Sequence, residues 1–368
     1  MENIFELSDE LGPAKVVYIH DPRTELKAVV AVDNVACGPS LGGIRMAPDV
    51  TAIEAFRLAR AMTLKNSAAG LPHGGGKSVI FADPSIPRDN KERLIRAFAR
   101  AISPLVEYIP GPDMGTDERC MAWIHNEIGR AVGLPAEIGG IPLDEIGATG
   151  FGLKASIEAA RRFCSFDLNR ARVVVQGFGS VGKHAARFLA DEGTKLIAAC
   201  DSRGTIYNPQ GINVARLISF QASGRSISEY PEGQHLGVDA IIDIDCEIWI
   251  PAARPDVINK GNVGRLKTKL VPQGANIPFT PEAERMLHEN GTLVIPDFIA
   301  NAGGVICASV EYHGGTQAQA FAAIEEKIRT NTTLVLEQSA RTKTLPRQAA
   351  MALAEQRVRA AMEYQRAS

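Results

Sequence analysis

No excess of either charge is available to this chain: 40 basic residues stand against 42 acidic ones, a formal net charge of -2. Such a balance draws neither nucleic acid nor an anionic membrane surface, which leaves a small molecule as the expected partner. Nor does any apolar run approach the roughly 20 residues that span a bilayer. The opening segment, MENIFELSDELG, is acidic and has no apolar stretch behind a basic start, so no secretory leader is expected and the chain reads as cytoplasmic. Its six cysteines, Cys37, Cys120, Cys164, Cys200, Cys246 and Cys307, are scattered singly. Without a C-x-x-C pair neither a zinc site nor a redox dithiol is written locally, no metal is expected, and reduced thiols are the plain reading. What is present is ordinary globular material, 368 residues with 45% hydrophobic and 22% charged content, enough for two domains with a core each.

The first third alternates strand-like segments, Lys15 to Ile19, Leu26 to Val32 and Ser78 to Phe81, with amphipathic helices. One helix is expected from about Ala52 to Asn66, and another between Lys91 and Leu105, where Leu94, Phe98, Ala101 and Leu105 recur at helical spacing. The Gly- and Pro-containing stretch Gly133 to Gly152 breaks the periodicity and reads as an interdomain hinge, with a helix from about Leu153 to Phe163 after it. From the strand Arg172 to Gln176 onward, short apolar strands separated by helical segments imply a parallel, doubly wound sheet. The expected domains are an α/β domain over 1–140, joined by C-terminal helices over about 331–368, and a dinucleotide-binding domain over 141–330.

Gly177-Phe178-Gly179-Ser180-Val181-Gly182 directly follows the apolar strand VVVQ and precedes a helical segment. A G-x-G-x-x-G run alone is a weak signal that a Gly-rich turn also satisfies. In this context Gly177 permits the tight turn, Gly179 lets backbone approach a pyrophosphate, and Gly182 lets helix and strand pack closely, with the helix N-terminus toward the anion. Asp201, ending the second strand KLIAAC, stands where a ribose-binding acid belongs and favours NAD, although DSRG is also a good turn sequence. Ser202 and Arg203 follow at once and suit a 2′-phosphate, so NADP stays open.

A dinucleotide fold specifies no chemistry, so the reaction has to be read from the first domain. Lys65 ends a helix in MTLKNSAAG, Lys77 ends a glycine run in LPHGGGKSVIF, and Asp113 lies among Gly and Pro residues in GPDMGTDE. Singly, each is most often a solvated surface group. Three consecutive glycines cost backbone entropy, however, and imply a close approach of backbone or ligand beside Lys77.

GPSLGGIRMAP, MTLKNSAAGLPHGGGKSVIFADP, GPDMGTDE, ATGFG, VVVQGFGSVG, VPQGANIPFTPEA and IPDFIANAGGV resemble, in order and rough spacing from Gly38 to Glu311, the motifs of the glutamate, leucine, phenylalanine and valine dehydrogenase superfamily. The resemblance implies two α/β domains, an N-terminal substrate and oligomerisation domain and a Rossmann-type doubly wound dinucleotide domain, with a cleft between them. It implies NAD(P)-dependent oxidative deamination of an L-α-amino acid to the 2-oxo acid and ammonium, and homo-oligomers, commonly hexamers or octamers. Lys77 would be the catalytic lysine, Asp113 its acid/base partner, and Lys65 the group that holds the substrate α-carboxylate. Thr149, Asn276 and Asn301 match polar positions along the cofactor and substrate, although Thr and Asn also suit caps and turns.

Glutamate-specific members carry a lysine immediately before the two glycines matched here by Gly42 and Gly43. This chain has Leu41 there. A substrate carboxylate buried against leucine would lack a partner at a cost of roughly several kcal/mol, so an uncharged, apolar side chain is expected, in a pocket formed by Leu41, Gly42, Gly43, Gly111, Val305 and Ala308. PDMGT, DSRGTIYNPQG and GANIPFTPEA nevertheless resemble glutamate enzymes more than leucine enzymes. The alternatives are therefore a glutamate dehydrogenase using another base such as Arg45, and a non-catalytic NAD(P)-binding regulator.

Overall fold

The computed structural model describes residues 4–365. By internal contacts the chain divides into two units: unit 1 holds residues up to Leu143, Val305–Ala320 and the chain from Met351 onward, and unit 2 holds Asp144–Gly304 and Phe321–Ala350. The chain thus returns to unit 1 twice, in place of the single return over about 331–368 expected from sequence. All four crossings fall inside helices, Leu143–Ile146, Gly303–Tyr312, Gln317–Thr342 and Pro346–Met362, and no break in periodicity marks the last three. Among the described residues no helix is long and apolar enough to cross a membrane.

Unit 1 is built on strands β1 (Lys15–Asp21), β2 (Leu26–Asn34), β3 (Ser40–Ala47), β4 (Gly74–Phe81) and β5 (Tyr108–Pro112), in the order β1-β2-β4-β3-β5. The β3, β4 and β5 strands are mutually parallel, whereas β1 and β2 run antiparallel to their neighbours. Because side chains alternate across a strand, the apolar run in β2 serves two cores. Leu26, Ala28, Val30 and Val32 pack with Leu94, Ile95 and Phe98 of helix α2 (Arg88–Ile102) and with Met121 and Ile124 of α3 (Glu118–Ile128). Val29 and Ala31 pack on the other face with Ala55 and Ala59 of α1 (Ala52–Ala68). Thr51 caps α1 by accepting from the Glu54 amide, and Asp117 caps α3 through the Cys120 amide.

Two expectations for this unit are corrected. Helix α2 starts at Arg88, behind Pro87, and ends at Ile102 before Pro104, because Pro104 has no N–H with which to continue the helical ladder. The strand expected from Ser78 begins earlier, since Gly74, Gly75, Gly76 and Lys77 are themselves in β4.

Unit 2 carries β6 (Arg172–Gln176), β7 (Lys195–Cys200), β8 (Thr205–Tyr207), β9 (Gln234–Leu236), β10 (Ile248–Pro251), β11 (Leu270–Pro272) and β12 (Leu293–Ile295), in the order β12-β11-β10-β6-β7-β8-β9. Read from β8 to β12, this is the 3-2-1-4-5-6 order of a dinucleotide-binding sheet, with its switch point between β6 and β10. The sheet is not wholly parallel, since β8 runs antiparallel to both of its neighbours, β7 and β9. The connection Asp201–Gly204 between β7 and β8 is too short for a crossover and permits only a hairpin. The stretch expected as hinge is partly helical: Ala148–Ala160 is a helix that already includes ATGFG. Its glycines mark close packing instead of a break, because a Cβ on Gly150 would lie 2.6 Å from the Ala185 nitrogen.

Candidate functional site

In unit 1 the parallel strands place the sequence-predicted residues on one face of the sheet. Leu41, Gly43 and Arg45 share a face of β3, and register sets Leu41 beside Gly75 and Ile109, and Gly43 beside Gly111. Lys77 on β4 and Asp113, just beyond β5, meet across β3 with Nζ 2.7 Å from Oδ2. What allows this is the missing side chain between them. A Cβ on Gly43 would stand 2.7 Å from the Asp113 Cβ and 3.3 Å from the Lys77 Nζ.

The remaining glycines bring backbone together. A Cβ on Gly75 would lie 2.0 Å from the Thr63 nitrogen of α1, and one on Gly42 would lie 1.7 Å from the Gly76 oxygen. The close approach predicted for the GGG run is therefore made by helix α1 and neighbouring strands, and it seats the last turns of α1, with half-buried Lys65, against β4. Asn66 ties the same end down by donating to the Leu41 and Gly74 carbonyls. On the opposite face Ser78 donates to the Tyr108 hydroxyl, which donates to the Gly42 carbonyl.

The Lys77 side chain is only 7% exposed. Burial pushes its ammonium below the ordinary lysine range, and the Arg45 guanidinium adds to this, against the opposing pull of Asp113. For Asp113 burial acts upward, but the Lys77 ammonium and then Arg45 outweigh it and hold the carboxyl below its usual range. Arg45 donates from Nε to Asp113 at 3.0 Å and pairs with Glu54 at 2.6 Å. Arg45 thus holds two carboxylates at once. The Thr116 hydroxyl accepts from the Asp113 amide and donates to the Ile44 carbonyl, fixing the turn that aims the carboxylate.

One residue pair along the strands from the Lys77–Asp113 pair, Leu41, Ile109, Val132 and Ala308 form a buried apolar cluster with Met62 packed against it. Gly111 faces into it, since a Cβ there would meet the Val132 methyl at 3.0 Å. Val305 stands outside this cluster, one turn earlier on the helix carrying Ala308 and half-buried. Sequence reasoning missed Val132 and Ile109, which lie in no motif, Met62, which opens MTLKNSAAG but was given no role, and the pairing of Arg45 with Glu54.

Unit 2 gathers a second set of predicted residues. Gly177 has φ +96° and a Cβ on it would strike Ala253, while one on Gly182 would lie 2.0 Å from the Gly177 oxygen. Gly179, by contrast, faces open space at the N-cap of helix Ser180–Asp191, the approach a pyrophosphate needs. Val181 lies beside Gly274, and Thr149 beside Gly303. The Asn301 amide donates to the Gly274 carbonyl at 3.2 Å and to the Asn276 Oδ1 at 2.9 Å. Its own Oδ1 is buried with no partner among the described residues, an acceptor that an N–H donor on a ligand would satisfy. The residues present therefore fit a dinucleotide.

Asp201 is more occupied than its place in the motif implies. One carboxylate oxygen accepts from the Arg203 and Gly204 amides, the other from the Ser226 hydroxyl at 2.5 Å and the Ile227 amide at 3.0 Å. Burial would raise this carboxyl, but Ser226 and the amides outweigh it and lower it. Ser202 and Arg203 are exposed, with Arg203 paired to Glu229.

Both halves match family models: residues 13–130 the Glu/Leu/Phe/Val dehydrogenase dimerisation domain, and residues 139–366 the Glutamate/Leucine/Phenylalanine/Valine dehydrogenase domain. Glutamate dehydrogenase of Aeropyrum pernix is 39% identical over 323 residues, 82% of this chain and 77% of that one. The Thermotoga maritima glutamate dehydrogenase is 41% identical over 293 residues, 76% and 70% of the two chains. Among solved structures, the Leu-bound hetero-hexameric glutamate dehydrogenase of Thermus thermophilus superposes with TM-score 0.85 at 29% identity, covering 97% of this chain and 91% of that one. L-tryptophan dehydrogenase of Nostoc punctiforme gives 0.77 at 27% identity, covering 98% and 100%. The two-domain α/β fold, the dinucleotide-binding sheet and these matches along nearly the whole chain together establish that it belongs to the glutamate, leucine, phenylalanine and valine dehydrogenase family of NAD(P)-dependent oxidoreductases.

Proposed function

We propose that the chain oxidatively deaminates an L-α-amino acid with an apolar side chain, and aminates the matching 2-oxo acid in reverse, using Lys77 and Asp113 as its catalytic pair. The observation that carries this is the buried Lys77–Asp113 contact on the sheet face shared with Leu41. Lys65 holds the α-carboxylate. Asp113, anionic at neutral pH, accepts a proton from the substrate ammonium. NAD(P), when bound, would supply the acceptor for the hydride lost from Cα. Lys77, whose burial eases loss of its proton, then takes one from the water that attacks the imino carbon and polarises the carbinolamine oxygen. Asp113 returns its proton to the carbinolamine nitrogen, which leaves as ammonia, and the freed carboxylate takes the hydroxyl proton as the carbonyl forms; the ammonia takes up a proton in water to become ammonium. Thr149, Gly177, Gly179, Ser180, Val181, Gly182, Asn276 and Asn301 hold the dinucleotide, with Asp201, Ser202 and Arg203 near the adenosine ribose.

Side-chain preference rests on distance and chemistry. Two residues along a strand is about 6.6 Å, so a substrate whose Cα lies at the Lys77–Asp113 pair extends a four- or five-atom side chain into the cluster of Leu41, Val132 and Ala308. A carboxylate ending there has no cation in the cluster, and the nearby Arg45 is committed to Asp113 and Glu54. The second reading, glutamate, is favoured by the names of the curated relatives. Against it stand two positions, Leu41 and Ala308, which face the side-chain end of the apolar cluster. We also propose a closed homo-oligomer, hexamer or octamer, working in the cytoplasm with small molecules as its partners. Lys77→Ala tests the catalytic assignment: it should retain cofactor binding and lose kcat by orders of magnitude, and comparable turnover would remove Lys77 from the mechanism.

A further inference from the structure

Ile277, next to Asn276, has φ +47°. A β-branched residue in the left-handed region is strained, and its side chain is 57% exposed, so burial does not hold it there. Two backbone hydrogen bonds do. The Ile277 N–H donates to Asp297 Oδ2 at 2.8 Å, and its carbonyl accepts from the Asp256 amide at 2.9 Å.

Asp297 is buried and reaches two more elements. Its other oxygen lies 2.9 Å from a guanidinium nitrogen of Arg347. Arg347 grips Glu284 through two nitrogens at 2.7 Å each, and donates to the Gln273 oxygen at 2.8 Å. That Gln273 oxygen also accepts from the Asp297 amide, and the Gln273 amide donates to Glu284. The Asp297 carbonyl in turn accepts from the Asn301 amide at 2.7 Å. One aspartate thus fixes the backbone beside Asn276 through its side chain and the backbone of Asn301 through its carbonyl. These are the two asparagines whose side chains meet at 2.9 Å.

We infer that Arg347, acting through Asp297, is a positioning residue for the dinucleotide, holding Ile277 in its left-handed conformation so that Asn276 and Asn301 stay registered. The inference rests on the reading that unit 2 binds NAD(P) through these asparagines. Arg347 lies on the C-terminal helix Pro346–Met362, far from any cofactor motif in sequence. Its planar fork hydrogen-bonds Glu284 and Gln273 while setting its charge against Asp297 as an ion pair, a geometry a lysine does not reproduce. Left-handed backbone costs a non-glycine residue about as much free energy as a five- to thirty-fold change in a binding constant. Glycine escapes that cost, so Ile277→Gly makes the anchor dispensable.

The test measures dissociation constants of NADH and NADPH by nicotinamide fluorescence, with melting temperatures alongside, on the full chain. Arg347→Lys should weaken binding of whichever cofactor the wild type prefers by about tenfold, and Ile277→Gly alone should change it less than about threefold. The double variant should recover to within about threefold of wild type although its melting temperature stays low. Unchanged binding in Arg347→Lys, or a loss that Ile277→Gly fails to recover, overturns the inference. If Arg347→Lys does not fold, Asp297→Asn with and without Ile277→Gly gives the same two outcomes. A wild type that binds neither cofactor would instead refute the reading beneath it, and the inference with it.

Discussion

Leu41→Lys puts the side-chain preference on one atom. Leu41 is 3% exposed and packs with Ile109, Val132, Ala308 and Met62. Replacing it withdraws an apolar wall from the substrate, a contact worth about 1.5–3 kcal/mol, and sets an ammonium in its place. A loss of about 2 kcal/mol in kcat/KM for leucine- or phenylalanine-like substrates is about thirtyfold. For 2-oxoglutarate the new pair gains roughly 4 kcal/mol at 4 Å in a half-wet site. Desolvating the lysine takes back several kcal/mol, so the net gain is about tenfold at most. The ratio of apolar to acidic kcat/KM should therefore fall by about two orders of magnitude. Initial rates of ammonium-dependent NAD(P)H consumption measure it, with Leu41→Met as a volume-conserving control that leaves the ratio within about tenfold. If Leu41→Lys folds, binds cofactor and keeps the wild-type ratio, Leu41 does not line the side-chain pocket and the case for apolar substrates fails.

Arg45→Gln removes a cation that lowers both Lys77 and Asp113, so the acid limb of the kcat/KM profile should move to higher pH; an unmoved limb separates Arg45 from the pair. Asp113, lowered in the folded state, contributes stability that is present above its unfolded value near 3.8 and lost as pH falls through the folded value. Asp113→Asn should accordingly flatten the acid end of a melting-temperature profile. Asp201→Ala should weaken NAD and NADP alike and lower the melting temperature, because all four bonds it accepts are internal; a selective loss of NAD would make it a ribose ligand after all. Light scattering at micromolar concentration should give a closed oligomer, and a monomer would contradict that proposal.

How much of this was legible depends on whether a residue's role is local. The turn Gly177–Gly182 is written in consecutive residues, each with its own steric reason, and could be read directly. Lys77 and Asp113 were legible as polar groups in glycine-rich surroundings, but the reason for the glycines was not. It lies in helix α1 and strand β3, which sequence separation hides. Val132 and Met62 enter the apolar cluster from a loop and a helix, so no periodicity announces them. ATGFG looked like a break because glycine is a poor helix former, and close packing against the helix carrying Ala185 overrides that propensity. Arg347 and Asp297 are joined only by the fold, and Asp201 looked free because its acceptors are filled partly by Ser226 and Ile227 from a distant turn.

The central claim is that Lys77 and Asp113 deaminate an amino acid whose side chain ends against Leu41. The most direct measurement is the wild-type ratio of kcat/KM for 4-methyl-2-oxopentanoate or phenylpyruvate to that for 2-oxoglutarate, with ammonium and each of NADH and NADPH. An unpaired carboxylate in the cluster costs roughly several kcal/mol, so the ratio should exceed about a hundred. A ratio below one, with brisk turnover of 2-oxoglutarate, would contradict the account and select the glutamate reading.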